Sequence, residues 1–271
     1  EASPTVCLTR DAKGKVAKAT TKFAGLEEKK CANAIPDFGY AGAGPRTSQA
    51  VIDQEVALAG DIFGSDLGGS LIVATDKPSK SVAKCQSSVS KDYEKIVGAK
   101  LKAFYDCKKA ALKEVPSSII TRKQLGNACL GMDEKGKVAK KETKLGADVF
   151  KKCLAAGISI DTTFPGDCSD AGDFGQCVIN RVDCRVCLML KAVDRLSQDC
   201  DDFDDDTAND SCPTEAAAHT GEVGFLRHPI IKGLSGDNVI HAIRHVYGGS
   251  YDGSFGQITP TTGKTTVAPL V

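Results

Sequence analysis

The sequence predicts a mainly α-helical protein in which disulfides staple antiparallel helical hairpins, with a cysteine-rich loop region and an irregular or β-containing C-terminal segment. Three observations predict this fold: twelve cysteines beside only two methionines and no tryptophan, a cysteine-bounded repeat, and a helix-favouring composition within that repeat. The cysteines are even in number, and all four histidines follow position 218. This pattern favours disulfides in an oxidising compartment over zinc sites.

The repeat is the strongest internal signal. Residues Cys7 to Cys31, CLTRDAKGKVAKATTKFAGLEEKKC, align without a gap on Cys129 to Cys153, CLGMDEKGKVAKKETKLGADVFKKC. The cysteines, the DxKGKVAK core and the closing KKC coincide, which indicates a true internal repeat.

A third segment, Cys85 to Cys107, has nearly the same length and composition but a different core. All three segments are rich in helix-forming residues and contain no proline. The third has an apolar stripe with spacings of three and four: Tyr93, Ile96, Val97, Leu101, Phe104 and Tyr105. The second copy has a similar stripe, with an acid placed for capping: Val138, Leu145, Val149 and Phe150, after Asp133. A turn at Glu114 to Ser118 would fold these two segments into a helical hairpin.

The cysteine spacing predicts how this hairpin is crosslinked. A helix of 22 residues spans about 33 Å and one of 24 residues about 36 Å, so the two cysteines of one segment are too far apart to bond. Across an antiparallel hairpin the distances match. We therefore expect Cys107 to bond Cys129 near the turn and Cys85 to bond Cys153 at the open end.

The regions around the hairpin are less regular. Asn33 to Arg46 contains several glycines and two prolines, which predicts a loop. Thr47 to Phe63 predicts an amphipathic helix capped by Thr47 or Ser48. Leu71 to Ala74 fits either a short strand or a helical turn.

The last third of the chain changes in character twice. Six cysteines lie between Phe164 and Pro213, and a helix is expected from Cys177 to about Ser197. Residues 221–271 contain no cysteine, and glycine, threonine and proline become frequent there. We therefore divide the chain into a disulfide-rich helical repeat domain, residues 1–213, and a C-terminal segment with an extended tail, residues 214–271.

The combination of these segments resembles a group of uncharacterised exported bacterial proteins whose lysine-rich helices begin and end with cysteine. The similarity lies in KCQSSVSKDYEKIVGAKLKAFYDCKKA, CLGMDEKGKVAKKETKLGADVFKKC, FPGDC and CVINRVDCRVCLMLKAVDRLSQDCDDFDDDTANDSC. It covers about Cys7 to Cys212. The resemblance implies an exported location and a helical architecture, but no reaction.

Charge and hydropathy limit the possible partners. With 35 basic and 35 acidic side chains, nothing global attracts the chain to nucleic acid or to an anionic membrane. No apolar run is long enough to span a bilayer. The opening Glu1 to Pro4 is typical of a chain whose export signal has been removed, although a shortened chain would look the same. We expect a secreted or cell-surface protein.

Cys184 and Cys187 form a CxxC, a spacing found in redox sites, zinc sites and haem attachment. Leu188 follows in place of histidine, which excludes haem attachment. The motif falls within an apolar helical stretch, so structural disulfides to neighbouring cysteines are favoured over a redox pair. A zinc site is the alternative, with these ligands: Cys177, Cys184, Cys187 and Cys200.

Seven aspartates lie between Asp199 and Asp210, and a hard cation such as calcium would relieve their mutual repulsion. The candidate ligands are Asp199, Asp201, Asp202, Asp204 and Asp206. The register is wrong for an EF-hand, because Thr207 and Pro213 take the glycine and glutamate positions. A looser calcium loop pinned by its flanking cysteines is one interpretation, and a solvated acidic loop is the other.

The C-terminal segment offers two further candidates. His241 and His245 share one face of a short predicted helix, although packed or exposed histidines are commoner than ligands. Three aromatic residues have a spacing suited either to stacking on sugar rings or to packing on the core: Tyr247, Tyr251 and Phe255. No nucleophile motif or recognisable carboxylate pair is present, so we do not expect an enzyme.

The sequence thus favours an exported, non-enzymatic structural protein, an assembly or filament subunit. Self-association is expected through the Cys7–Cys31 helix, whose partner segment is not found upstream in this sequence, and through the tail Ile258 to Val271. A calcium- or carbohydrate-binding extracellular module is the alternative, with calcium as its cofactor.

Overall fold

Helices form most of the described structure in the computed structural model of this chain. The structure describes residues 11, 13–30, 38, 43–114, 119–212, 257–261 and 264–268. The helices are α1 Lys15–Lys30, α2 Ala43–Phe63, α3 Leu67–Ser70, α4 Lys77–Ala111, α5 Arg122–Cys129, α6 Lys137–Lys152, α7 Ile160–Thr163, α8 Phe174–Asp194 and α9 Cys200–Asp205. A 3-10 helix spans Leu154–Ala156, and the strands are β1 Gln257–Thr261 and β2 Lys264–Ala268. The mainly helical, disulfide-stapled fold that the sequence predicts is confirmed.

The long helix α4 and the repeat helix α6 pack along one another and form the central hairpin. Cys85 bonds Cys153 with 5.2 Å between their Cα atoms, and Cys107 bonds Cys129 with 5.5 Å. These are the two pairs that the hairpin spacing predicts. Cys129 is the last residue of α5, the short helix before α6, and Cys153 follows the last residue of α6. One crosslink therefore lies at each end of the α4–α6 contact.

Helix α4 is 35 residues long, and it is stabilised by a capping box at its N-terminus and by an apolar stripe along its length. Asp76 caps the first turn by accepting a hydrogen bond from the Ser79 N–H at 2.8 Å, and the Ser79 hydroxyl accepts one from the Asp76 N–H. The buried stripe includes Val89, Ile96 and Phe104.

Two members of the predicted stripes lie outside the buried faces, which corrects their assignment. Phe150 is 65% exposed and Tyr105 is 40% exposed. Each follows a buried stripe residue directly, and one residue turns a helix by about 100°, which carries the side chain to the edge of the contact.

Helix α8 is the centre of the packing. It contacts α2, α4, α6 and α9, and its residues from Cys184 to Leu190 are buried without interruption. The Arg185 guanidinium makes a bidentate contact with Asp61 of α2, with Nε to Oδ2 and Nη2 to Oδ1 both at 2.6 Å. Gln54 accepts a third hydrogen bond from Arg185 at 3.3 Å. Because every charge is matched, the buried arginine does not stand alone in the core.

The FPGDC segment docks on the C-terminal end of α2. Phe164 stacks between Phe63 and Phe174, with ring centroids 5.4 and 4.7 Å away. Gly166 lies so close to the α2 backbone that a Cβ there would sit 2.2 Å from the Asp61 carbonyl oxygen. The Asp167 N–H donates to that same oxygen at 2.7 Å. Only glycine fits this backbone contact.

Three boundaries differ from the sequence predictions. Helix α2 begins at Ala43 instead of Thr47, because Pro45 lies in the first turn, where no helical partner is needed for the missing N–H. The stretch from Leu71 to Ala74 is neither strand nor helical turn. Helix α8 runs three residues earlier than expected at both ends and stops at Arg195, whose φ of 56° is left-handed.

The described part of the C-terminal segment is an antiparallel pair of strands, with Gln257 opposite Ala268. The other candidates there lie outside the described residues: His241, His245, Tyr247, Tyr251 and Phe255. The boundary between 213 and 214 stays a prediction. Among the described residues, no helix has both the length and the apolar character needed to cross a bilayer.

The disulfides differ in how strongly they should stabilise the fold. Removing Cys85–Cys153, which closes a separation of 68 residues, should lower the free energy of unfolding by about 4 kcal/mol. Removing Cys168–Cys177, with a separation of 9, should cost about 2.5 kcal/mol. Paired Cys→Ala variants measured by denaturant unfolding test this ranking, and a reversed order would contradict it.

Candidate functional site

The two repeat helices have the same local structure. Helices α1 and α6 are each 16 residues long and begin at the same lysine of the aligned repeat. Each is preceded by a glycine with positive φ, Gly14 at 61° and Gly136 at 58°. The repeated sequence therefore encodes a helix with a fixed starting point.

The aspartate of the DxKG motif caps the helix start. Asp11 accepts hydrogen bonds from the backbone N–H groups of Lys15 at 2.7 Å and Ala17 at 2.8 Å. Asp133 accepts from the matching donors, Lys137 at 2.8 Å and Ala139 at 3.0 Å, and also from Val138 at 3.0 Å. The Ala17 N–H bond lowers the pKa of Asp11. These aspartates satisfy the orphan donors of the first turn.

The two helices differ in what covers them. In α6, Val138 and Leu145 are 6% and 0% exposed, because they pack in the hairpin with α4. The equivalent residues of α1, Val16 and Phe23, are 47% and 38% exposed. Leu26, one turn further along the same side of α1, is 46% exposed. Two apolar positions of the repeat are thus buried in α6 and exposed in α1, although α1 contacts α2. We call Val16, Ala19, Phe23 and Leu26 the α1 face.

The polar edge of the hairpin explains one difference between the copies. Lys144 contacts Asp92 of α4 at 3.0 Å, and Lys152 contacts Asp148 at 2.9 Å. The two lysines hold the pKa of Asp148 well below its usual range. In the first copy both lysines are retained, but leucine 26 replaces Asp148. This exchange removes a charge from the α1 face, whereas Glu27 of α1 takes the place of the buried Val149.

The disulfides of the described residues include every cysteine outside the first copy. Five disulfides join ten of the twelve cysteines: 85–153, 107–129, 168–177, 184–212 and 187–200. The two that remain, Cys7 and Cys31, lie outside the described residues. Their equivalents in the second copy both bond α4.

The CxxC cysteines bond outward instead of to each other. Cys184 pairs with Cys212, and Cys187 pairs with Cys200. Both ends of the acidic segment are thereby tied to α8, which is the pinning that the sequence indicates. The four-cysteine zinc alternative is wrong, because its sulfurs are consumed in disulfides, with Cys177 bonded to Cys168.

The acidic segment is partly helical, not a simple loop. Asp199 caps α9 by accepting from the Asp201 N–H at 3.1 Å. Asp201 accepts from the N–H groups of Cys212 and Asp210, both at 2.9 Å, and the Cys212 bond lowers its pKa. Asp202 and Asp206 are exposed. These side chains cap and close the segment.

The five predicted calcium ligands do not converge in the described structure. The one close group of potential ligands there combines Asp204 with Cys184 and Cys212, whose sulfurs are bonded to each other. A calcium site made of all five carboxylates stays a prediction.

Among the predicted ligands, Asp204 has a buried carboxylate oxygen without a hydrogen-bond partner in the described residues. It is 6% exposed, and its Oδ2 accepts from the Ser211 hydroxyl at 2.9 Å, whereas its Oδ1 has no hydrogen-bond partner among the described residues. Burial raises its pKa. It lines a cleft of about 320 Å³ with Asp173, Gln176, Cys177, Asn180, Arg181, Asp205 and Ser211. The α8 members could not be found from the sequence, because nothing in the spacing brings them beside α9.

No family model matches the chain, and searches of curated proteins and of solved structures returned no match. The resemblance to exported bacterial proteins stays a prediction. The five disulfides indicate an oxidising, non-cytoplasmic environment.

The repeated cap provides a matched pair of variants. Asp133→Ala should lower the free energy of unfolding by about 1 to 2 kcal/mol, because three backbone donors lose their acceptor at the start of a core helix. Asp11→Ala should change it by less than about 0.5 kcal/mol, because the face of α1 contributes little to the core. Denaturant unfolding of dilute protein measures both. Equal losses would show that α1 is as integral to the core as α6.

Proposed function

We propose that this chain is an exported, non-enzymatic structural protein that assembles through the α1 face. The observation that carries the proposal is the contrast in burial between equivalent residues, with Phe23 38% exposed and Leu145 fully buried. The same repeat makes a helix that packs along α4 in one place and, in the other, a helix that contacts α2 but leaves Val16, Phe23 and Leu26 exposed. A helix of this kind is suited to bind a partner supplied by another molecule.

The energetics favour covering the α1 face. Full burial of its three large side chains would contribute on the order of 1 kcal/mol each, since each is already partly covered. Other exposed apolar residues, such as Val73 at 77% beside Ile72 at 39%, lie in a stretch that is not helical. The side chains of the α1 face instead recur along one side of a helix, which is the pattern of a helix–helix contact.

Secretion and a polymeric end state belong to this proposal. The disulfide-rich helical body suits an extracellular building block, because the crosslinks add to the stability that the hydrophobic core provides. The strands β1 and β2 lie in the tail for which self-association is expected, and an added strand on their edge is one way to join subunits.

Assembly should depend on the α1 face. Native, unreduced protein should elute above monomer mass in size-exclusion chromatography with light scattering, and electron microscopy should show ordered polymers. Phe23→Glu should shift the protein toward monomer, because a charge in the contact would be desolvated. Val73→Glu, on an exposed loop, is the control and should assemble normally. Wild-type protein that remains monomeric at high concentration would overturn the proposal.

Calcium binding is the second candidate, favoured by Oδ1 of Asp204, which has no hydrogen-bond partner in the part of the chain that the structure describes. A hard cation prefers carboxylate oxygens and would offset the cost of burying this charge. Calcium should then raise the melting temperature of the wild type, and a chelator should reverse the rise. Asp204→Asn should abolish the effect, and the exposed Asp202→Asn should retain it. Identical melting with and without calcium would rule this site out.

A further inference from the structure

We infer that copies of this chain stack face to back, with a row of lysines on α4 of one copy bound to the acidic segment, Asp199 to Asp210, of the next. The inference rests on the proposed function only in that both assemble copies of the chain. It adds a second contact, which shares no residue with the α1 face. The α4 lysine row, as we call it, consists of Lys77, Lys80, Lys84 and Lys91.

The charges of the chain balance overall but are divided between two regions. Residues 77–152, which include the α4–α6 hairpin, contain 19 basic and 8 acidic side chains. Residues 161–210, which include α8 and α9, contain 13 acidic and 4 basic side chains. A chain of zero net charge thus has one strongly basic and one strongly acidic region. Such a molecule is electrostatically complementary to its own copies.

The α4 lysine row lies on one exposed side of its helix. Its members follow one another at intervals of three, four and seven residues, which keeps them within about 60° of each other around the helix. All four residues are exposed, and none of them forms a salt bridge among the described residues. Because the four like charges repel one another, an anionic partner would stabilise this side of α4.

The acidic segment offers the opposite charge. Asp202 and Asp206 are exposed, and no aspartate of the segment has a salt bridge within the part of the chain that the structure describes. The buried Asp204 has an oxygen without a hydrogen-bond partner there, and it lines the cleft between α8 and α9. The other charged residues of this cleft are Asp173, Asp205 and Arg181. A lysine ammonium at the mouth of the cleft would offset its excess negative charge.

Within one copy the two charged surfaces cannot meet, because α4 lies between them. Lys100 and Phe104 of α4 line a small cavity together with Phe203 of the acidic segment. One residue turns a helix by about 100°, so Lys91 lies on the opposite side of α4 from Lys100. Two disulfides bond the acidic segment to α8 and prevent it from moving around α4. The partner of the α4 lysine row is therefore another molecule.

The contact joins two unlike surfaces, so it is heterologous. Each copy that enters the stack leaves one free lysine row and one free acidic segment at the two ends, and further copies can add there. Open chains or rings result from contacts of this kind. Exposed ion pairs are individually weak and are screened by salt, so the stack should form reversibly and should depend on ionic strength.

The test uses the full-length Phe23→Glu variant, in which a charge interrupts the α1 face, so that the ionic contact is measured alone. At low salt and high protein concentration this variant should still form oligomers in sedimentation velocity, and about 0.5 M NaCl should dissociate them. Adding Lys84→Glu and Lys91→Glu should weaken the association about tenfold. The control adds Lys137→Glu and Lys140→Glu, the same change of charge on exposed residues of α6, and should associate like its parent.

A mixing experiment then tests the face-to-back arrangement. A second variant of the same parent has Asp202→Asn and Asp206→Asn, and it should also associate about tenfold more weakly, because it lacks the other half of the contact. Mixed with the Lys84→Glu, Lys91→Glu variant, it should form 1:1 dimers and nothing larger. Only one intact lysine row and one intact acidic segment can meet in such a mixture.

The outcomes distinguish this inference from the proposed function. Association that persists in salt or in the lysine variant, or a mixture that stays monomeric, would overturn the ionic contact. Wild-type assembly that is lost in Phe23→Glu at every salt concentration would support the α1 face alone. Salt-sensitive stacking in a protein whose assembly does not need Phe23 would support this inference alone. Binding of polyglutamate to the lysine row, without association of copies, would overturn the second copy as the partner.

Discussion

Covalent sulfur bridges between antiparallel helices are the constraint on which this structure depends. The buried face of α6 is narrow, with three residues in the core: Val138, Leu145 and Val149. Bonds at both ends of the α4–α6 contact fix the register that so few apolar residues would specify weakly. Three of the five disulfides involve α8: two bond it to the acidic segment, and the third bonds it to Cys168 of the FPGDC segment. The Arg185–Asp61 contact then fastens α2 to the same helix without a disulfide.

The repeat separates what is local from what depends on a partner. An aspartate and a left-handed glycine are enough to start both α1 and α6 at the same position, so the helix itself is a property of the short sequence. Burial is not, because Val16 and Val138 are identical residues in identical local structures with different exposure. The same motif can therefore serve as a core element in one place and as a contact surface in another. The difference in exposure between Val16 and Val138 comes from the tertiary environment and not from the repeated sequence.

The features that were predictable from sequence are those fixed by distance along a helix. Helix rise and cysteine spacing were enough to pair Cys85 with Cys153, and the stripe spacing located the central hairpin. The start of α2 at Ala43 was not predictable, because a proline-containing stretch fits both a loop and a first helical turn. The orphan oxygen of Asp204 depends on how α9 packs on α8, and a run of similar aspartates gives no sign of which one is buried. Contacts between separate helices of this kind produce no regular spacing of residue types in the sequence.

The docking of FPGDC on α2 has an evolutionary consequence. Gly166 meets the Asp61 backbone so closely that every side chain is excluded, and Asp61 itself is held by Arg185. A side chain at position 166 would push against the α2 backbone, and loss of the Asp61 carboxylate would leave Arg185 without its bidentate partner. In diverging descendants, most lysines on the solvent side would be replaced before this glycine, aspartate and arginine. These three positions are the signature by which remote relatives of the chain should be recognised.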